Sequence, residues 1–453
     1  MRMANCSRAT GMNTDFREIE EALRTIPLLD VHSHLVGGRL AARGLHDVLL
    51  YHMVVSDLYA AGCPSGARLS EYPAWATPAE ARARILEALP YLKYIQNTSI
   101  FWGVRMILHD LYGWNEPITD ANWEKLDGLI RERADDRAWQ REVLRRANIV
   151  KGCTEMARRM TGDDDDFLHY SLEWAFFTRT VQNEYDTALI ELEHTWGRPQ
   201  GSPIGHGMRK RSPEGRRIRS INDVKDAMDH FIRETVKHPV LSIATYISPN
   251  IDLRPVSDTE MADALNRRDR AGIAERDIYA SYLHESLLTA MAPYADRLFF
   301  LFSTAAEPLP YETYAQIPQS GLTRIVETVL RHPKIRFLCF TGSRHSNQSL
   351  CSMCRELPNL ALGGYWWHTF FPSSMRQIME ERLDMLPTNR NLAFFTDAYC
   401  VEWAYGKMRL ILRQLAQVLA QKIQQGQYTR DTAIAIARQI LHDSTIEFTG
   451  MRP

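Results

Sequence analysis

Leu28-Leu29-Asp30-Val31-His32-Ser33-His34-Leu35 is an apolar run that reads as a β-strand and delivers two imidazoles, at i and i+2, where the run ends. Side chains on a strand alternate faces, so His32 and His34 point the same way, with Asp30 behind them on that face. Two imidazoles on one rigid edge suit a borderline divalent ion such as zinc, which in catalytic sites takes about three protein ligands and leaves a position open. An isolated HxH is also compatible with one core histidine and one solvent-facing histidine, so the rest of the chain decides.

Further short apolar runs, bounded by Gly, Pro, Asp or Asn, follow along the chain. With the first at 26–32 they occupy 148–153, 172–178, 240–247, 297–303, 335–340, 360–366 and 392–396. Helix-period segments separate several of them, at 221–237, 278–291, 321–331 and 374–386. Strands alternating with helices imply parallel pairing through right-handed crossovers, and eight such units close a (β/α)8 TIM-type barrel. In that architecture the C-terminal strand ends carry the chemistry. The last run, Phe394-Phe395-Thr396-Asp397, places a carboxylate where its strand stops. Strand eight lies beside strand one in a closed barrel, so Asp397 is expected to complete a three-ligand site with His32 and His34. The competing reading makes Asp397 the N-cap of a helix that begins near Val401.

The barrel reading divides the chain into an N-terminal helix and first strand (1–45), a helical insertion (46–147), the remaining barrel (148–405) and C-terminal helices (406–453). The insertion exceeds an ordinary βα loop and carries helical patterns at 78–89, 120–132 and 139–147, so it is expected to lie over the barrel mouth as a lid. Residues 195–220 hold seven basic side chains without periodicity and read as a solvated loop, with binding of an anionic substrate as the alternative. The acidic run 163–166 likewise reads as a solvated loop. The tail carries helical patterns at 407–424 and 431–443, capped at Thr429, that pack on the barrel and suit a homo-oligomer. His345 and the pair Cys351 and Cys354 lack the second pair a zinc knuckle needs.

At 453 residues the chain can bury a large core, and with 45% hydrophobic and 24% charged residues its composition is that of a globular protein. Its 54 basic and 55 acidic residues nearly cancel, so no long-range field draws nucleic acid or an anionic membrane. Seven scattered cysteines, no long apolar run and no secretory leader point to a cytoplasmic protein with reduced thiols.

DVHSHL at 30–35, the tryptophan pair Trp366 and Trp367, and FFTDAY at 394–399 together resemble the amidohydrolase superfamily, and within it the uronate isomerase branch. The resemblance extends over most of the chain. It implies one divalent metal ion, most simply zinc, on His32, His34 and Asp397, and the interconversion of an aldose-type sugar acid with its ketose. Asp397 and His52, from an element resembling the family's DHY, would then be catalytic. Arg179, Trp366, Trp367 and Tyr399 would meet the substrate. The sequence departs from the branch where Tyr399 stands for the arginine of its TDSR and where Ala404 and Tyr405 stand at its RH element. Absence of a lysine on strand four and a histidine on strand five favours one ion over two. The alternatives are a mononuclear hydrolase of an ester, lactone or amide, and a barrel that binds metal without turnover.

Overall fold

The computed structural model describes residues 15–64, 77–156, 164, 166–174, 185–196, 216–247, 253–304, 319–366 and 371–452. Eight strands form one parallel sheet whose spatial order follows the sequence: β1 (Leu28–Ser33), β2 (Ile149–Met156), β3 (Leu168–Glu173), β4 (Val240–Ile247), β5 (Phe299–Thr304), β6 (Phe337–Thr341), β7 (Leu360–Gly363) and β8 (Asn391–Leu392). Helices Ile221–Thr235, Ile273–Met291, Gln319–Arg331, Arg344–Glu356 and Pro372–Met385 connect successive strands from β3 to β8.

Both faces of the sheet are buried, as parallel strands require. Consecutive residues of β5 sort into two clusters: Phe299 and Leu301 pack with Val31, Leu338, Phe340 and Phe395, whereas Phe300 and Phe302 pack against the connecting helices. Phe448, from the helix Ser444–Thr449, joins the first of these with its ring 6.0 Å from that of Phe299. It packs where β5 begins.

The edges β1 and β8 meet through the segment that follows β8. Asp397 N donates to His32 O and His34 N donates to Ala398 O, each at 2.8 Å, while Thr396 N and Oγ1 both donate to the Asp30 carboxylate. The expected strand 392–396 is shorter for this reason: a side chain, Asp30, takes the place of a ladder partner. β3 begins at Leu168, four residues before the expected start. Its residues LHYSLE alternate polar and apolar side chains, and Ser242 Oγ of β4 donates to Ser171 Oγ, so a search for apolar runs passes over it.

Beyond β1 the chain forms helices His52–Ala60, Pro78–Ala88, Ser99–Tyr112, Trp123–Arg131 and Arg137–Ala147. Ser99–Tyr112 was not among the expected helices. It packs against the long helix Val401–Gln424, which begins six residues before the pattern at 407–424. The buried Glu402 carboxylate joins these elements, accepting from Ala42 N, Tyr112 Oη and Trp139 Nε1. Thr429 Oγ1 accepts from Thr432 N and caps Arg430–Arg438 as expected; a π-helical turn, Gln439–Asp443, then carries the chain to Ser444.

Of the acidic run 163–166, expected as a solvated loop, Asp164 and Asp166 lie among the described residues, and Asp166 is exposed. Asp164 is buried and bridges Gly38 N, Arg137 and Arg141, anchoring the segment to the insertion. Cys351 and Cys354 are buried in the helix Arg344–Glu356, where burial pushes both thiols up, and His345 is exposed.

Candidate metal centre

His32 is the penultimate residue of β1, His34 lies one residue past the strand, and Asp397 sits five residues beyond β8. Regular alternation would send Val31 and His32 to opposite faces. Both nevertheless face the interior, since Val31 clusters with Phe340 and Phe395, and His32 packs edge-on against the same two rings at 5.1 and 5.4 Å. The register explains it: from Asp30 to Ser33 β1 advances three residues while β2 advances two, from Gly152 to Thr154. This bulge re-aims the imidazole toward the interior rings Phe340 and Phe395.

Asp397 adopts the left-handed region at φ +53°, which costs an aspartate less than most residues. Its backbone is clamped there. The amide donates to His32 O, and the carbonyl accepts from Tyr51 Oη at 2.6 Å and Lys407 Nζ at 3.3 Å. The helix that follows starts after Cys400 with no side-chain cap, so Asp397 is not its N-cap.

The three groups converge. His32 Nε2 and His34 Nε2 lie 3.1 and 3.2 Å from the same oxygen, Asp397 Oδ1, and all three donor atoms fall within 4.8 Å of one another. Ligand atoms about 2.0–2.1 Å from a tetrahedral ion stand roughly 3.3 Å apart, so these separations fit a divalent cation with N and O donors. Among the described residues no other trio of His, Cys, Asp or Glu has such spacing. His32 and Asp397 are buried and His34 is half-buried, so the trio is reached from the His34 side.

Neighbours tune this group. Burial pushes the Asp397 carboxyl up, but the Lys407 ammonium 3.5 Å from Oδ2 and the two imidazole hydrogen bonds outweigh it, holding the group well below the usual carboxylate range. Burial lowers Lys407 to about 8 against the opposing pull of Asp397. Asp30 is raised to about 6 by burial, despite its bonds from Thr396; it braces the site instead of joining the donors. Glu155 of β2 places Oε2 3.2 Å from His32 Nδ1 without hydrogen-bond geometry, an electrostatic contact on the ring edge away from Asp397.

The remaining expected site residues divide. Tyr399 lies flat on His34, ring centres 4.5 Å apart and planes 12° apart, so its ring orients a donor. Trp366 is half-buried at φ +31° against two core clusters. His52 opens the helix His52–Ala60, and its side chain, like Arg179 and Trp367, lies outside the described residues. Tyr405 faces the insertion, its hydroxyl donating to Asp110, and Ala404 is core. Tyr51, Glu155 and Lys407 were not singled out as site groups. Lys407 had a readable signal: it stands four residues after Trp403 on the apolar stripe of its helix, where a lysine must be buried.

No protein-family model matches the chain, and no curated protein matches it by sequence. Solved structures match over nearly its whole length. A glucuronate isomerase from Caulobacter crescentus shares 13% identity at TM-score 0.76, with 98% of this chain and 95% of that chain covered. A uronate isomerase from Bacillus halodurans C-125 shares 15% identity at TM-score 0.72, with 97% of each covered. A uronate isomerase from Thermotoga maritima shares 10% at TM-score 0.73, covering 96% of this chain and 97% of that chain. The trio His32, His34 and Asp397 is thus carried on a fold shared with solved uronate isomerases.

Proposed function

We propose that this protein is a metal-dependent isomerase of the uronate isomerase type, interconverting an aldose-type sugar acid and its ketose. The observation that carries the reading is the convergence of His32, His34 and Asp397 from the two ends of the chain, on a fold shared with uronate isomerases. We infer a closed (β/α)8 barrel, supported by the bonds between β1 and the Asp397 segment, with residues 46–147 as a subdomain over its mouth and the C-terminal helices packed on its side. Among the described residues no helix is long and apolar enough to cross a membrane, and a cytoplasmic homo-oligomer acting on a small molecule fits the composition.

A bound divalent ion, zinc by the donor set, would supply Lewis acidity at the substrate's carbonyl and adjacent hydroxyl oxygens. The chain's own groups do the rest. Asp397, held ionised, accepts the proton from the carbon beside the aldehyde and returns one to the aldehyde carbon, while the hydroxyl proton passes to the carbonyl oxygen. The reaction is redox-neutral within one molecule. Tyr51 and Lys407 fix the Asp397 backbone so that the carboxylate is preorganised. On the resemblance alone, we assign Trp366 and Trp367 to an apolar wall, His52 to the proton transfer and Arg179 to a two-pronged pair with the substrate carboxylate.

The test is incubation with hexuronates in D2O. Solvent deuterium entering the substrate at C2, together with ketose formation, is the expected result. Oxygen from water entering a product from a panel of lactones, esters and amides would instead establish a hydrolase. Metal content without turnover on either panel would leave a binding barrel. His32→Ala and Asp397→Ala should each lose tightly bound metal and turnover while the circular dichroism stays native, and either variant with normal metal content overturns the ligand assignment.

A further inference from the structure

We propose that the buried Lys407 ammonium, set against the second oxygen of the Asp397 carboxylate, loosens the hold of this centre on its ion. The inference rests on the assignment of His32, His34 and Asp397 as ligands. The two oxygens of Asp397 are divided between two kinds of partner: both imidazoles face Oδ1, at 3.1 and 3.2 Å, whereas the ammonium faces Oδ2, at 3.5 Å.

The ammonium cannot swing aside. The Lys407 side chain is fully buried on the helix Val401–Gln424, donates to Tyr51 Oη at 2.8 Å and to Asp397 O at 3.3 Å, and lies over the Tyr51 ring. Tyr51 is itself 2% exposed and donates to that same carbonyl. A buried ammonium and a divalent ion sharing one carboxylate repel by many times thermal energy, because little water intervenes. The other nearby carboxylates are turned to different tasks, Asp30 to Thr396 and Glu155 to the far edge of His32.

The consequence is measurable without assaying turnover. The wild-type protein, titrated with zinc chloride and analysed for metal after dialysis, should take up zinc. In Lys407→Met and Lys407→Gln the zinc should bind at least tenfold tighter in competition with a chromophoric chelator. The glutamine variant keeps a polar group beside Tyr51 should the methionine variant misfold. Affinity unchanged or weakened in the folded neutral variants, with zinc bound by the wild type, overturns the role of Lys407 alone. A wild type that takes up no ion overturns the ligand assignment as well.

Discussion

At the scale of single residues, the centre depends on side chains that never touch the proposed ion. Tyr399 covers one face of the His34 ring and so restricts its rotation, which matters most for a half-exposed donor. Supporting groups of this kind typically contribute about ten- to a hundredfold to metal affinity. Tyr399→Ala should therefore weaken zinc binding by about tenfold, and Tyr399→Phe, which keeps the ring, should leave it within a factor of about two; chelator competition distinguishes them. Equal losses in both would assign the effect to the hydroxyl. HxH and TD are legible as residue types because metal chemistry accepts few donors. The stacking role of Tyr399, expected from the resemblance to meet the substrate, is not, because it depends on ring orientation, which sequence spacing does not encode.

At the scale of elements, the end of β7 shows how tightly the rim is held. A Cβ on Gly364 would stand 2.0 Å from the Phe395 ring, and the residue sits at φ +31°. Buried Arg382, from the helix Pro372–Met385, donates to Gly364 O at 2.6 Å and to Asn347 Oδ1. Gly364→Ala forces either the ring or the backbone to move, and should lower the unfolding free energy by about 3 kcal/mol, read from urea melts. An unchanged midpoint would mean that Phe395 yields freely. Several elements follow from local pattern: β4 matches its expected run, and the helices Ile273–Met291, Gln319–Arg331 and Pro372–Met385 overlap the patterns at 278–291, 321–331 and 374–386, whereas Asp258–Asn266 and Arg344–Glu356 had no expected counterpart. β3 does not, because its polar alternate residues hydrogen-bond to the neighbouring strand, and no apolar run marks it.

At the scale of the whole molecule, burial of ionisable groups makes stability depend on pH. His284, on the helix Ile273–Met291, packs edge-on against Phe300 beside a small cavity lined by Ile247, Phe302 and Ile325. Burial lowers its pKa from the ordinary 6.5 to about 3. Between those values the unfolded chain takes up a proton that the folded chain refuses, so His284 removes stability as the pH falls below 6.5. Exchanging it in His284→Leu should shrink the loss of unfolding free energy between pH 7 and pH 5 by about 2 kcal/mol. Parallel pH dependence in wild type and variant would show that the imidazole charges without penalty.

The amino-acid sequence by itself determined the eightfold alternation of strands and helices and the identity of three ligand-type side chains, because hydrophobic periodicity and donor chemistry are local properties. Only the tertiary structure decided how those side chains meet. The bulge that turns His32 inward is set by registry with β2, and the left-handed turn at Asp397 is held by bonds from β1, Tyr51 and Lys407. The buried ammonium that faces the second oxygen of that carboxylate stands only ten residues along the chain, but the Tyr51 hydroxyl that holds it comes from 356 positions away. Electrostatics and backbone strain act through distances in space, and those exist only once the chain has folded.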